Sequence, residues 1–131
     1  MKAFDAWNAV KKSIDAYEEE SRPFFSAGEI WWSRLGVNVG YEIDGKSESF
    51  QRPVIVLKKY NQYSFLALPL TSSPKVNPYR LPIGRVGGKD ASAVLSQIRN
   101  VDSKRLVQKI GRLDDDMFEA IRKETSRVNF G

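Results

Sequence analysis

Read by the spacing of its apolar positions, this chain begins helical, turns to strand and closes helical. Phe4, Trp7, Lys11, Ile14 and Tyr17 recur at steps of three and four, which predicts an amphipathic helix over residues 1–20. Ser21-Arg22-Pro23 stops it, because the residue before a proline avoids helical dihedrals. Such a helix either docks a partner or covers one end of a small barrel, and the second is preferred. From Gly28 the period shortens. Glu29 to Leu35 is rich in β-formers, and Gly36 breaks the run. Val37 to Ser49, with Asn38, Gly40, Asp44 and Gly45, reads as a long loop or loose hairpin. Val54-Ile55-Val56-Leu57 is continuously apolar, the pattern of a strand buried on both faces.

Lys58 to Tyr63 makes a turn, and Ser64 to Pro69 is the next strand. Tyr79 to Ile83 is predicted as a short edge strand, since Pro82 has no N–H to give a ladder. Gly84, Gly87 and Gly88 then read as a turn. Ala91 to Leu95 is a strand, and Gln97 to Val101 continues it or bends off it. Asp102 caps a single helical turn, Gln108 to Leu113 is a last strand, and Asp114 caps a closing helix. The stripe of that helix is Met117, Phe118, Ile121 and Thr125 or Val128, with Asp115 and Asp116 at the positive end of its dipole. Short strands, glycine-rich turns and a few helices give a small α+β barrel of antiparallel strands, one domain over 131 residues.

Composition removes whole classes of chemistry. The chain has no cysteine and no histidine, so disulfides, thiolate catalysis, histidine–cysteine zinc sites and Ser-His-Asp triads are all excluded. No closely spaced pair of carboxylates suggests a metal, and no cofactor motif appears. No stretch approaches a bilayer span, and residues 1–20 lack the apolar core of a signal peptide, so the expected location is cytoplasmic. Charge is uneven. Residues 31–112 hold fourteen basic and five acidic side chains, while both flanks are net acidic. A basic middle suits a polyanion site on the central sheet, although charge alone slightly favours a solvated basic surface.

Four segments, taken in order, carry a resemblance: Gly28-Glu29-Ile30-Trp31-Trp32, Arg52-Pro53-Val54-Ile55-Val56, Pro69-Leu70-Thr71-Ser72, and the run from Ala93 through Gln97-Ile98-Arg99 to Asp102. Together with Ser103 to Asp114 they resemble the MazF/PemK family of bacterial toxins over roughly residues 27–125. The resemblance implies an SH3-like β-barrel, usually a homodimer, that cuts single-stranded RNA without a metal and is silenced by a cognate antitoxin. It also implies that Arg52 and Thr71 are the catalytic pair. Ser72, Gln97, Arg99, Lys46 and Trp32 are the expected RNA contacts. Two features depart from the family pattern: the segment between Gly40 and Gln51 is longer, and the helix over residues 1–20 is extra. An alternative Arg/Asp pair used in one branch is replaced here by Val94 and Ser96.

The residue chemistry agrees with this reading and leaves part of it open. Attack of a 2′-OH on phosphorus needs a cation near the phosphoryl oxygens and groups to take and give protons. DNA has no such nucleophile. The fork of Arg52 suits the cation role first and proton donation second. Thr71 orients the phosphate through its hydroxyl. The general base is unassigned among Glu29, Glu42, Asp44 and Glu48. Each assignment has a structural counterpart: Arg52 as a solvated edge residue, Thr71 as a turn former, Gln97 and Arg99 as ties for a bend. Of Trp31 and Trp32, alternation turns at least one into the core. Two other functions on this barrel stay open. One is a non-enzymatic toxin that binds a protein such as gyrase, a branch marked by a terminal Trp-Gly-Ile where this chain has Val128-Asn129-Phe130-Gly131. The other is an inactive RNA-binding relative.

Overall fold

Alternating burial on the central strands organises the molecule. The computed structural model describes residues 22–35 and 51–131. The helix expected over residues 1–20 and the loop expected over residues 37–49 lie outside them. Seven strands follow in order: β1 (Glu29–Arg34), β2 (Gln51–Lys59), β3 (Ser64–Thr71), β4 (Arg80–Val86), β5 (Lys89–Val94), β6 (Arg99–Asp102) and β7 (Leu106–Arg112). A 3-10 turn at Ser103–Arg105 joins β6 to β7, and α1 (Asp115–Phe130) follows. All pairs are antiparallel, in the order β4-β5-β3-β2-β1-β7.

Strand β3 is where the sheet changes partner. Ser64 to Ala67 pair with β6, whereas Leu70 and Thr71 pair with β5. The sheet therefore curls, and its two faces bury separate cores. Val54, Val56, Phe65, Ala67, Val101 and Leu106 fill the inner one with Trp31 and Phe25. Ile55, Leu57, Leu68 and Leu70 face the other way, toward Leu95 and Ile121 of α1. Because both parities of β2 are buried, a slip of one residue would exchange the two cores, so register is strongly fixed.

The expected elements that fall on the described residues are present, with four differences. Lys58 and Lys59, expected in a turn, instead close β2 and pair with Leu66 and Phe65. The edge strand at residue 79 extends through Val86, because Gly84 adopts φ 98° at a bulge opposite Ala91 and lets the strand run on. The turn is then left to Gly87 and Gly88. The segment after Val94 bends off: the Gln97 amide donates to the Val94 carbonyl at 3.1 Å, and β6 crosses to β3. In α1 both alternatives at the end of the stripe are used. Thr125 is buried and donates to the Ile121 carbonyl at 2.6 Å, while Val128 packs on the same core. The Asp114 carboxylate caps α1 through the Met117 amide at 2.8 Å, and Asp102 caps the 3-10 turn through the Lys104 amide at 2.8 Å.

One end of the curl is tied shut. The Ser103 hydroxyl donates to the Gln62 carbonyl at 2.7 Å, and Arg22 reaches both Asp102 at 2.9 Å and Ser103 at 2.8 Å. Lys59 donates to the Phe25 carbonyl at 2.8 Å. The opposite end, where β2 begins and β3 finishes, is the more open one among the described residues, with Arg105 donating to the Arg34 carbonyl at 3.0 Å.

Candidate active site

At the open end the strand register does the positioning. Val56 pairs with Ala67, Ile55 with Leu68 and Val54 with Pro69. The pairing of β2 with β3 ends there, and alternation two residues further along each strand puts Arg52 and Thr71 on the face of Val54 and Ala67. Neither Pro53 nor Pro69 has an N–H to donate, so the two strands are free to part just where these side chains stand. On the far side of Thr71 its partner is Ser92, whose own partner on β4 is Pro82. On the far side of Arg52 its partner is Ser33. Two segments of a transverse row thus lie on one face: Ser33 and Arg52 across β1 and β2, and Thr71, Ser92 and Pro82 across β3, β5 and β4.

Arg52 is exposed and Thr71 half-buried. The Thr71 hydroxyl oxygen accepts the Ser73 amide at 3.1 Å. That bond makes Thr71 a turn former, and it also fixes the oxygen while leaving the hydroxyl proton to donate. The turn-forming reading of Thr71 is the one this bond realises. Ser72 follows, exposed, on the rim of a cavity of about 430 Å³ lined by Ser73, Lys75, Arg80, Asp90 and Ser92. Arg80 was not among the residues singled out by sequence. Its Nη1 is buried with no hydrogen-bond partner. The available signal was a cation opening a mostly apolar edge strand, too common a pattern to stand out.

The other expected contacts divide. Arg99 pairs with Ala67 on β6, and alternation places it on the same face as Thr71, exposed. Gln97 sits exposed in the bend, so its backbone serves structure while its side chain is open to solvent. Trp32 goes elsewhere. It pairs with Pro53, on the face of Ile30 and Ile55 and opposite to Arg52. Trp31 is the inward member, buried with its indole N–H on Glu29 at 2.9 Å. Lys46 lies outside the described residues, as do Glu42, Asp44 and Glu48.

Glu29, named above as a possible general base, is engaged far from the row. It stands four residues before Ser33 on β1 and accepts the Ser26 amide and the Trp31 indole, each at 2.9 Å. Lys109 approaches its other oxygen at 3.1 Å. Burial alone would raise its pKa, but the Trp31, Ser26 and Lys109 hydrogen bonds and the Lys109 charge together hold it below the ordinary value of 4.5. A carboxylate so held is a structural pin and a weak proton acceptor. Among the described residues no three acidic side chains converge to hold a metal ion.

Comparison with known proteins follows the same outline. Residues 26–128 match the sequence pattern of the PemK-like, MazF-like toxins of type II toxin–antitoxin systems. The chain is 30% identical over 103 residues to the endoribonuclease EndoA of Bacillus subtilis, covering 72% of this chain and 84% of that protein. Among solved structures, MazF from Deinococcus radiodurans superimposes with a TM-score of 0.65 at 22% identity, over 81% of this chain and 96% of its own. A mycobacterial endoribonuclease in complex with its cognate antitoxin gives 0.63 at 12% identity, over 82% and 98%. At such identities these structures establish the fold. The curled antiparallel sheet with α1 against it is that fold, as the resemblance implied.

Proposed function

This chain belongs to the PemK-like, MazF-like toxins of type II toxin–antitoxin systems, and on that premise we propose that it is an endoribonuclease cutting single-stranded RNA without a metal ion. The observation that supports this is the transverse row: an exposed guanidinium and a donor-ready hydroxyl share one face at the open end of the sheet. In the proposed step the RNA's own 2′-oxygen bonds to phosphorus and the bond to the 5′-oxygen breaks. The first products are a cyclic phosphate and a 5′-hydroxyl, the departing 5′-oxygen taking its proton from Arg52 in that side chain's second role. Arg52 holds two phosphoryl oxygens through its fork and stabilises the charge that gathers there. Thr71 donates its proton to a phosphoryl oxygen and turns the phosphate in line with the attacking oxygen. The residue that takes the 2′-proton is not assigned, and Glu29 is set aside by its contacts.

Ser72, Gln97 and Arg99 supply polar and cationic contacts around the same end, and the cavity beside Thr71 gives a flanking nucleotide room. Lys46, in the segment that departs from the family pattern, is kept only for diffuse phosphate attraction, and Trp32 stands on the face opposite to Arg52. A cognate antitoxin and a homodimer complete the proposal, by analogy with the antitoxin complex among the similar structures. No described helix is long and apolar enough to cross a membrane.

The deciding experiment incubates the purified chain with single-stranded RNA in EDTA. Fragments with 5′-hydroxyl ends are the expected result. Intact RNA, with growth arrest retained on expression, would instead assign the chain to the non-enzymatic toxins, and salt-sensitive RNA binding without new ends would make it an inactive relative.

A further inference from the structure

Three described side chains hide a polar atom with no hydrogen-bond partner: Arg22, Arg80 and Ser33. The two arginines have further nitrogens to use. Ser33 has one side-chain polar atom, and the residue is fully buried, at 0% exposure. Packing gives no reason for that hydroxyl. An alanine would fill nearly the same space, continue the face formed by Trp31 and Leu35, and leave no donor or acceptor unmet.

The register supplies a reason. Ser33 is the direct cross-strand partner of Arg52 on β1 and β2, with Leu106 on its other side. Opposed residues of an antiparallel pair stand about 4.5–5.5 Å apart at Cβ, within reach of a long side chain's inner atoms. The first nitrogen of an arginine, Nε, lies three bonds beyond Cβ, so it can fold back onto a neighbour at that spacing.

We infer that Ser33 is a positioning residue for Arg52: its hydroxyl accepts the Nε–H when the guanidinium closes on a phosphate. The two Nη groups are then left as a fork aimed at the phosphoryl oxygens. Arginine enters this arrangement with many rotamers open, and one fixed bond at Nε removes most of them. The inference rests on the reading of Arg52 as the phosphate-holding group. It adds a second residue, drawn from β1, whose hydroxyl no packing requirement explains.

Steady-state cleavage of a single-stranded RNA oligonucleotide by the full chain tests it. Ser33→Ala is expected to lower kcat on the order of tenfold, the scale of a misaimed catalytic group, and to leave KM within about twofold. Its thermal midpoint should equal or exceed the parent's, because an unmet hydroxyl has gone. Ser33→Cys, which fills the space with a weak acceptor, should repeat the loss and guards against a folding defect in the alanine variant. In an Arg52→Lys background, where no Nε–H exists, Ser33→Ala should change nothing further. Parental kcat in both Ser33 variants, or an equal loss with and without Arg52, overturns the inference while leaving the proposed function standing. A parent chain that cleaves no RNA overturns the proposed function itself, and this inference with it.

Discussion

Arg52 owes its exposure to where β2 begins. One residue later the chain is proline, and two residues later it is in the core, so the guanidinium is the last polar group before burial. Arg52→Ala should cut RNA cleavage roughly a hundred- to thousand-fold, the scale for losing one preorganised donor, with circular dichroism unchanged. Arg52→Lys keeps the charge without the fork and should recover little. Glu29 makes a prediction of the opposite kind. Its folded pKa lies below 4.5, so its contribution to stability is present above 4.5 and is lost as pH falls through the folded value. Thermal midpoints followed from pH 6 downward should drop through that acid window, and Glu29→Gln should flatten the drop. At this scale sequence and structure agree unevenly. Arg52 and Thr71 stand out in sequence because motif and chemistry coincide, and their roles belong to the proposal. Ser33 and Arg80 were not, because a serine among β-formers and an arginine at a strand start carry no mark of burial. Trp32 was misjudged for want of register, since parity on β1 is set by its neighbours and not by its own sequence.

Elements were easier to read than their partners. The apolar run of β2, the turn residues after it and the two aspartate caps are local signals, and each is realised locally. Asp114→Ala should cost about 1 kcal/mol of stability by denaturant titration, the usual effect of losing a capping oxygen, with cleavage by the folded fraction unchanged. The pairing of β6 with β3 was beyond reach. It joins residues about 35 apart in the chain, and nothing in Arg99-Asn100-Val101 names Ser64 to Ala67 as its mate. The extension of β4 was missed for a different reason: Gly84 looks like a turn residue, yet at a bulge the same conformational freedom prolongs a strand.

For the whole molecule, the uneven charge becomes meaningful once the sheet is folded. The segment that builds the row is the basic one, and the net-acidic stretch from residue 113 onward is mostly α1, packed on the outer core. RNA binding measured on a non-cleaving Arg52→Ala variant should weaken steeply between low and moderate salt, with a slope set by the few phosphates engaged. A slope near zero would mean that base contacts dominate. The row also has a bearing on how such a chain can diversify. Its alignment comes from two hydrophobic interiors that each claim alternate residues of β2. Under the proposed function, a descendant that keeps both interiors keeps its scissors sharp.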